Sequence, residues 1–154
     1  MKTLIIYDSQ YGNTGQIAKA IGGAIKGEVK LVRAGDADPT EIPSADLLII
    51  GSPTQGGRTT ETMKDFLEKL PDSSLRCAPI ATFDTRISTR FVGIFGFAAG
   101  KMGKDLKARG ANLIVPPEGF FVAAPKGPLK DGEAERAADW AKKIIEAGKF
   151  QPDI

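Results

Sequence analysis

The chain has no histidine among its 154 residues. Imidazole acid–base catalysis, Ser-His-Asp and Cys-His nucleophilic sites and the usual histidine-bearing zinc centres are therefore closed to it. Cysteine is nearly as scarce: Cys77 stands alone, so no intramolecular disulfide can form, which agrees with a reducing compartment. Set just before an apolar segment, Cys77 reads as a small packing residue. No apolar run approaches the ~20 residues that a membrane-spanning helix needs. The first strand-like run begins at Thr3 and Asp8 follows it closely, leaving no room for a secretory signal, so the expected location is cytoplasmic. Charge of one sign is also missing. The formal net charge is +2, and no dense basic run with interleaved aromatics marks a nucleic-acid surface.

With 42% hydrophobic and 26% charged residues, the composition fits one soluble globular domain spanning residues 1–154. Continuous apolar runs at Thr3 to Tyr7, Leu47 to Ile50 and Pro79 to Phe83 predict strands covered on both faces, as in a parallel α/β sheet. Glu28 to Arg33 alternates charged and apolar residues and reads as an edge strand. A fifth strand is expected from Asn112 to Val115, continuing past Pro116-Pro117 into Gly119 to Ala123.

Helical spacing fills the gaps. Ile17, Ile21, Ala24 and Ile25 make one stripe behind a cap at Asn13 or Thr14. Met63, Phe66, Leu67 and Leu70 make a second, stopped by Pro71; Ala99, Met102 and Leu106 a third; Ala134, Ala137, Ala138, Ala141, Ile144 and Ile145 a fourth. The segment from Ala34 to Ala45, with Pro39 and Pro43, holds at most a turn of helix. Strands alternating with helices, and a half-polar second strand at an edge, predict a doubly wound five-stranded parallel sheet of order 2-1-3-4-5 with helices on both faces. Winding reverses between the first and third strands, and ligands bind at the carboxyl ends there.

Two segments leave those ends: Asp8-Ser9-Gln10-Tyr11-Gly12-Asn13-Thr14 and Gly51-Ser52-Pro53-Thr54-Gln55-Gly56-Gly57. In the first, Ser9, Asn13 and Thr14 offer side-chain donors, and the amides from Gln10 to Thr14 open a helix with its positive dipole end toward the crevice. An oxyanion held this way needs no lysine. The same residues could equally serve as helix caps. A P-loop is excluded because Gly12 is not followed by Gly-Lys-Ser/Thr, and no Gly-x-Gly-x-x-Gly follows the first strand.

These motifs resemble the flavodoxin family over essentially the whole length. Family phosphate loops read Ser/Thr-x-Thr/Tyr-Gly-Asn-Thr, and Ser9-Gln10-Tyr11-Gly12-Asn13-Thr14 is similar to them. The resemblance implies noncovalent FMN, with its phosphate at Ser9 to Thr14 and its ring framed by Pro53, Thr54, Gln55, Gly56 and Gly57 and by Asp84, Thr85, Arg86 and Ile87. It implies an electron carrier in which the cofactor performs the redox chemistry and no residue is catalytic.

The chain departs from the family in two respects. Electron-carrier flavodoxins are strongly acidic and usually stack a Trp or Tyr on the flavin; here Gln55 stands in the second loop, and Tyr11 and Phe91 are the nearest aromatic candidates. Between Asp84 and Arg109 six basic residues stand against two acidic ones. Asp84 and Arg86 either pair with each other at the surface, or Asp84 accepts from the flavin ring while Arg86 lies at its pyrimidine edge and raises the reduction potential. The stretch from Phe91 to Phe97 either begins a glycine-rich helix or forms a cover or dimer patch. The partner is a redox protein or NAD(P)H, and the chain a monomer or homodimer. Two further readings stand beside the carrier: a small NAD(P)H-dependent flavin or quinone reductase, and a binding module that has lost flavin.

Overall fold

The protein is described by a computed structural model over residues 1–87 and 96–149. The chain runs β1 (Lys2–Tyr7), α1 (Asn13–Gly23), β2 (Glu28–Arg33), β3 (Leu47–Pro53), α2 (Glu61–Lys69), β4 (Ile80–Ile87), α3 (Ala98–Ala108), β5 (Glu118–Val122) and α4 (Glu133–Lys149). All strand pairs are parallel and the order is β2-β1-β3-β4-β5, as the patterning predicts.

Strand periodicity explains why the apolar runs are continuous. Successive side chains point to opposite faces, so Leu4 and Ile6 of β1 and Leu48 and Ile50 of β3 join Met63, Phe66, Leu67, Met102 and Leu106 of α2 and α3. Ile5 and Ile49 face the other way, onto Ile17 and Ile21 of α1 and Ala137, Trp140, Ala141 and Ile144 of α4. In that second layer Phe83, Phe120 and Trp140 meet edge to face, with ring centroids 5.8 to 6.1 Å apart. Gly51 makes room for this cluster: a Cβ there would stand 2.1 Å from Phe83 Cζ. Among the described residues no helix is long and apolar enough to cross a membrane.

Several boundaries differ from the sequence reading. β3 and β4 continue past their apolar runs to Pro53 and Ile87, because the ladder extends through Ser52 opposite Asp84 and Pro53 opposite Thr85. The fifth strand is split. Leu113 makes a single bridge to Ile80, flanked by Ile80 N to Asn112 O at 2.9 Å and Ile114 N to Ile80 O at 3.2 Å, before β5 proper starts at Glu118. Pro116-Pro117, which lacks two amide donors, accounts for the interruption. The segment between β2 and β3 holds two 3-10 segments, Ala34–Asp36 and Pro39–Ser44, the second longer than the single turn expected.

Candidate functional site

Ser9 Oγ organises the loop after β1. It accepts from the Gly12 amide at 3.1 Å and the Gly15 amide at 3.3 Å, while the Ser9 amide donates to Asp8 Oδ1 at 2.9 Å. Gly12, and not Asn13 or Thr14, occupies the position before α1, at φ +94°, a left-handed conformation that glycine adopts at little cost. Residues with a Cβ would be strained there, and the hydroxyl three residues earlier replaces the usual cap. The amides of Gln10, Tyr11, Asn13 and Thr14 meet no acceptor among the described residues. They sit at the positive end of the α1 dipole.

The loop after β3 is a tight reversal. Gln55 and Arg58 exchange backbone hydrogen bonds of 2.8 and 3.0 Å around Gly56 (φ +56°) and Gly57 (φ +77°), two consecutive positive φ values of the type I′ pattern. Gln55 Nε2 donates to Gln10 Oε1, and Thr14 and Thr85 share a hydroxyl hydrogen bond of 2.7 Å, so the three strand ends are tied together. Thr54 Oγ1 accepts from the Ala98 amide at 3.0 Å, joining the second loop to the start of α3.

Between these segments lies an open cleft of about 410 Å³ at the carboxyl ends of the strands, within the usual size of small-ligand sites. Gln10, Tyr11, Asn13, Thr14, Pro53, Thr54, Gln55, Gly56, Thr85, Arg86 and Ile87 line it. Ser9, Gly12 and Gly57, also expected at the site, are not among the lining residues. Sequence reasoning missed Val122 and Pro125, which complete the lining. Val122 ends β5 at the carboxyl side of the sheet, which the strand order could have signalled, whereas the turn that carries Pro125 reaches the first loop only through the packing of Gly127 on Asn13. Phe91 lies outside the described residues, as does the stretch it begins up to residue 95. Tyr11, 50% exposed, is the one aromatic ring among the described lining residues.

Asp84 does not face the cleft. It is fully buried; Oδ1 accepts from Arg86 Nε at 2.7 Å, and Oδ2 accepts from Arg86 Nη2 at 2.8 Å and from the Ala99 amide at 2.9 Å. With both oxygens occupied, it has none aimed at a ligand. Arg86 rests across Gly119, where a Cβ would come within 2.3 Å of the guanidinium, and under the Phe97 ring at 3.5 Å from its centroid. The pair is therefore not a loose surface arrangement. It also presents no free cation to the cleft, which removes the ground for a potential raised by Arg86. Arg109 likewise leaves the basic surface: its guanidinium meets Asp72 at 2.8 Å, Asp105 at 3.6 Å and the Leu67 carbonyl at 2.9 Å.

Among the described residues no group of three Cys, Asp or Glu side chains converges. Open amides at a helix start, hydroxyls and a glycine turn beside a mononucleotide-sized cleft suit a phosphorylated planar ligand. They fit FMN.

A doubly wound sheet with open amides at its switch point is the architecture in which α/β proteins hold mononucleotides. The flavodoxin family profile matches residues 5–148, and the chain belongs to that family. Flavodoxins carry FMN and pass electrons to redox partner proteins. A flavodoxin of Aquifex aeolicus is 34% identical over 71 residues, a stretch covering 44% of this chain and 38% of that one. Among solved structures, a flavodoxin from the domain Archaea superposes with TM-score 0.80 at 21% identity, covering 97% of this chain and 100% of that one. Oxidised flavodoxin 2 of Bacillus cereus gives 0.76 at 25% identity, with coverage of 97% and 100%.

Proposed function

We propose that this protein binds FMN noncovalently at the cleft and carries electrons to an acidic redox protein. The observation that carries the reading is the set of open amides at Gln10, Tyr11, Asn13 and Thr14 on the mouth of the central strands. Bound there, the flavin supplies the electron-accepting and electron-donating chemistry. The chain's own part is to hold and place it. Four main-chain donors and the α1 dipole take the phosphate, and Ser9 keeps the loop in the shape that aims them. Gly56 and Gly57 bring backbone close to the ring position without side-chain bulk. Thr85 and Arg86 form the floor, and the neutral Asp84–Arg86 pair keeps it rigid without adding net charge.

The partner's expected acidity comes from α3. That helix starts beside the cleft through the Thr54–Ala98 hydrogen bond, and Lys101, Lys104 and Lys107 are exposed along it. Such a patch accelerates encounter with an oppositely charged protein and loses that effect as salt rises.

An absorption spectrum of purified protein before and after adding FMN tests the reading. A flavin spectrum retained through desalting supports it; protein that stays colourless after saturation with FMN refutes it. Anaerobic mixing with NADPH separates carrier from reductase. A carrier leaves the flavin oxidised, whereas rapid bleaching by NADPH alone would assign the chain to the reductases.

A further inference from the structure

The first loop contains no lysine or arginine, yet a cation reaches it from the far end of the chain. Lys126 lies in the turn after β5, and its Nζ stands 5.8 Å from the centroid of the Tyr11 ring. That turn is well fixed. Ala123 N donates to Pro128 O, Lys130 N to Phe121 O and Gly127 N to Ala124 O, each at 2.9 Å. Gly127 has φ +102° and presses on the start of α1: a Cβ there would stand 2.6 Å from Asn13 Oδ1. Pro125, one residue before the lysine, lines the cleft.

The geometry points to Lys126 as the counter-charge for the ligand's phosphate, an affinity- and specificity-setting residue delivered from the β5–α4 turn to a loop that has no cation of its own. The inference rests on the FMN reading above. The other cation near the loop, Arg33, is already engaged: its Nη1 donates to the Ser9 carbonyl at 3.1 Å and faces Asp8 at 4.0 Å. Lys126 forms no ion pair with a carboxylate among the described residues. A phosphate monoester carries about −1.5 to −2 charges near neutral pH, so it would give the ammonium the partner that the chain withholds. The four-carbon stem lets Nζ swing from the Tyr11 face toward the open amides at Gln10 and Tyr11. Because Lys126 is exposed, its effect is screened and modest.

Riboflavin, the same ring system without the phosphate, is the internal control. Fluorescence-quenching titrations of wild type, Lys126→Met and Lys126→Arg with FMN and with riboflavin, at low and high salt, decide the matter. Lys126→Met should weaken FMN about fivefold at low salt, leave riboflavin unchanged, and lose most of that gap at high salt; Lys126→Arg should stay within about twofold of wild type. The inference is overturned if Lys126→Met binds FMN as wild type does, or if it weakens FMN and riboflavin equally, which would mark a structural role for the turn. Wild type that binds FMN no better than riboflavin would sink the phosphate reading itself, and this inference with it.

Discussion

An Asp84→Asn variant keeps the shape of the side chain and removes its charge. Asp84 is wholly buried and takes three hydrogen bonds on two oxygens, two from Arg86 and one from the Ala99 amide. Asparagine offers one acceptor oxygen, so an NH2 group must face N–H donors at the other position. Arg86, with 17% of its side chain exposed, becomes an uncompensated cation in the cleft wall. Removing one partner of a fully buried pair costs about 3–5 kcal/mol. Water in the cleft reaches part of the guanidinium, so the expected loss is nearer 2–3 kcal/mol. At about 2–4 °C per kcal/mol for a chain of this size, melting falls by roughly 4–12 °C. Urea unfolding of wild type, Asp84→Asn and the apolar double variant Asp84→Leu/Arg86→Met measures it, since replacing both partners should recover most of the loss. A single variant within about 0.5 kcal/mol of wild type, or a double variant no better than the single, would show that the pair is not the buried structural unit described.

Three other perturbations have defined outcomes. Gly51→Ala drives a Cβ into the Phe83 ring, which Phe120 and Trp140 hold in place; a loss of about 3 kcal/mol in chemical denaturation is expected, and near-wild-type stability would mean that the aromatic cluster yields. Ser9→Ala strips the acceptor from two loop amides, so FMN affinity should fall about tenfold in a quenching titration while stability drops by only about 1 kcal/mol; unchanged affinity would show that the loop holds its shape without Ser9. Hydrogen bonding from Arg136, with a further bond from the Phe121 amide, holds the Glu133 carboxyl below its ordinary range despite burial. A depressed carboxylate stabilises the fold above its unfolded pKa and ceases to as pH falls through the folded one. Glu133→Gln should therefore flatten the stability profile on the acid side of the ordinary glutamate range, and a profile parallel to wild type would contradict that.

Hydrophobic pattern sufficed where burial is apolar. Leu4 to Ile6 and Leu47 to Ile50 could only be strands covered on both faces, and the position of the two loops at their carboxyl ends followed from the strand order. Pattern failed where a polar residue is buried because a distant group satisfies it. Ser52 and Asp84 are both fully buried, and each extends a strand beyond its apolar run: Ser52 Oγ accepts from the Thr60 amide at 3.2 Å, and Asp84 takes its bonds from Arg86 and Ala99. The Asp84–Arg86 pair is one of the two sequence readings, but its burial and the bonds from Thr60 and Ala99 cannot be read from spacing. The α1 cap was displaced for a related reason, since Ser9 reaches forward to the Gly12 and Gly15 amides and leaves the capping position to a glycine. Lys126 was invisible because its place depends on a hairpin-like return, Val122 against Leu129, that packs the turn on Asn13.

The central claim is that the backbone amides of Gln10, Tyr11, Asn13 and Thr14 receive the phosphate of FMN. Amide-resolved NMR of labelled protein during titration with FMN, and separately with riboflavin, observes those groups one by one. The account predicts large shifts of these four amides with FMN that riboflavin does not reproduce. Saturable FMN binding that leaves all four unmoved would contradict it.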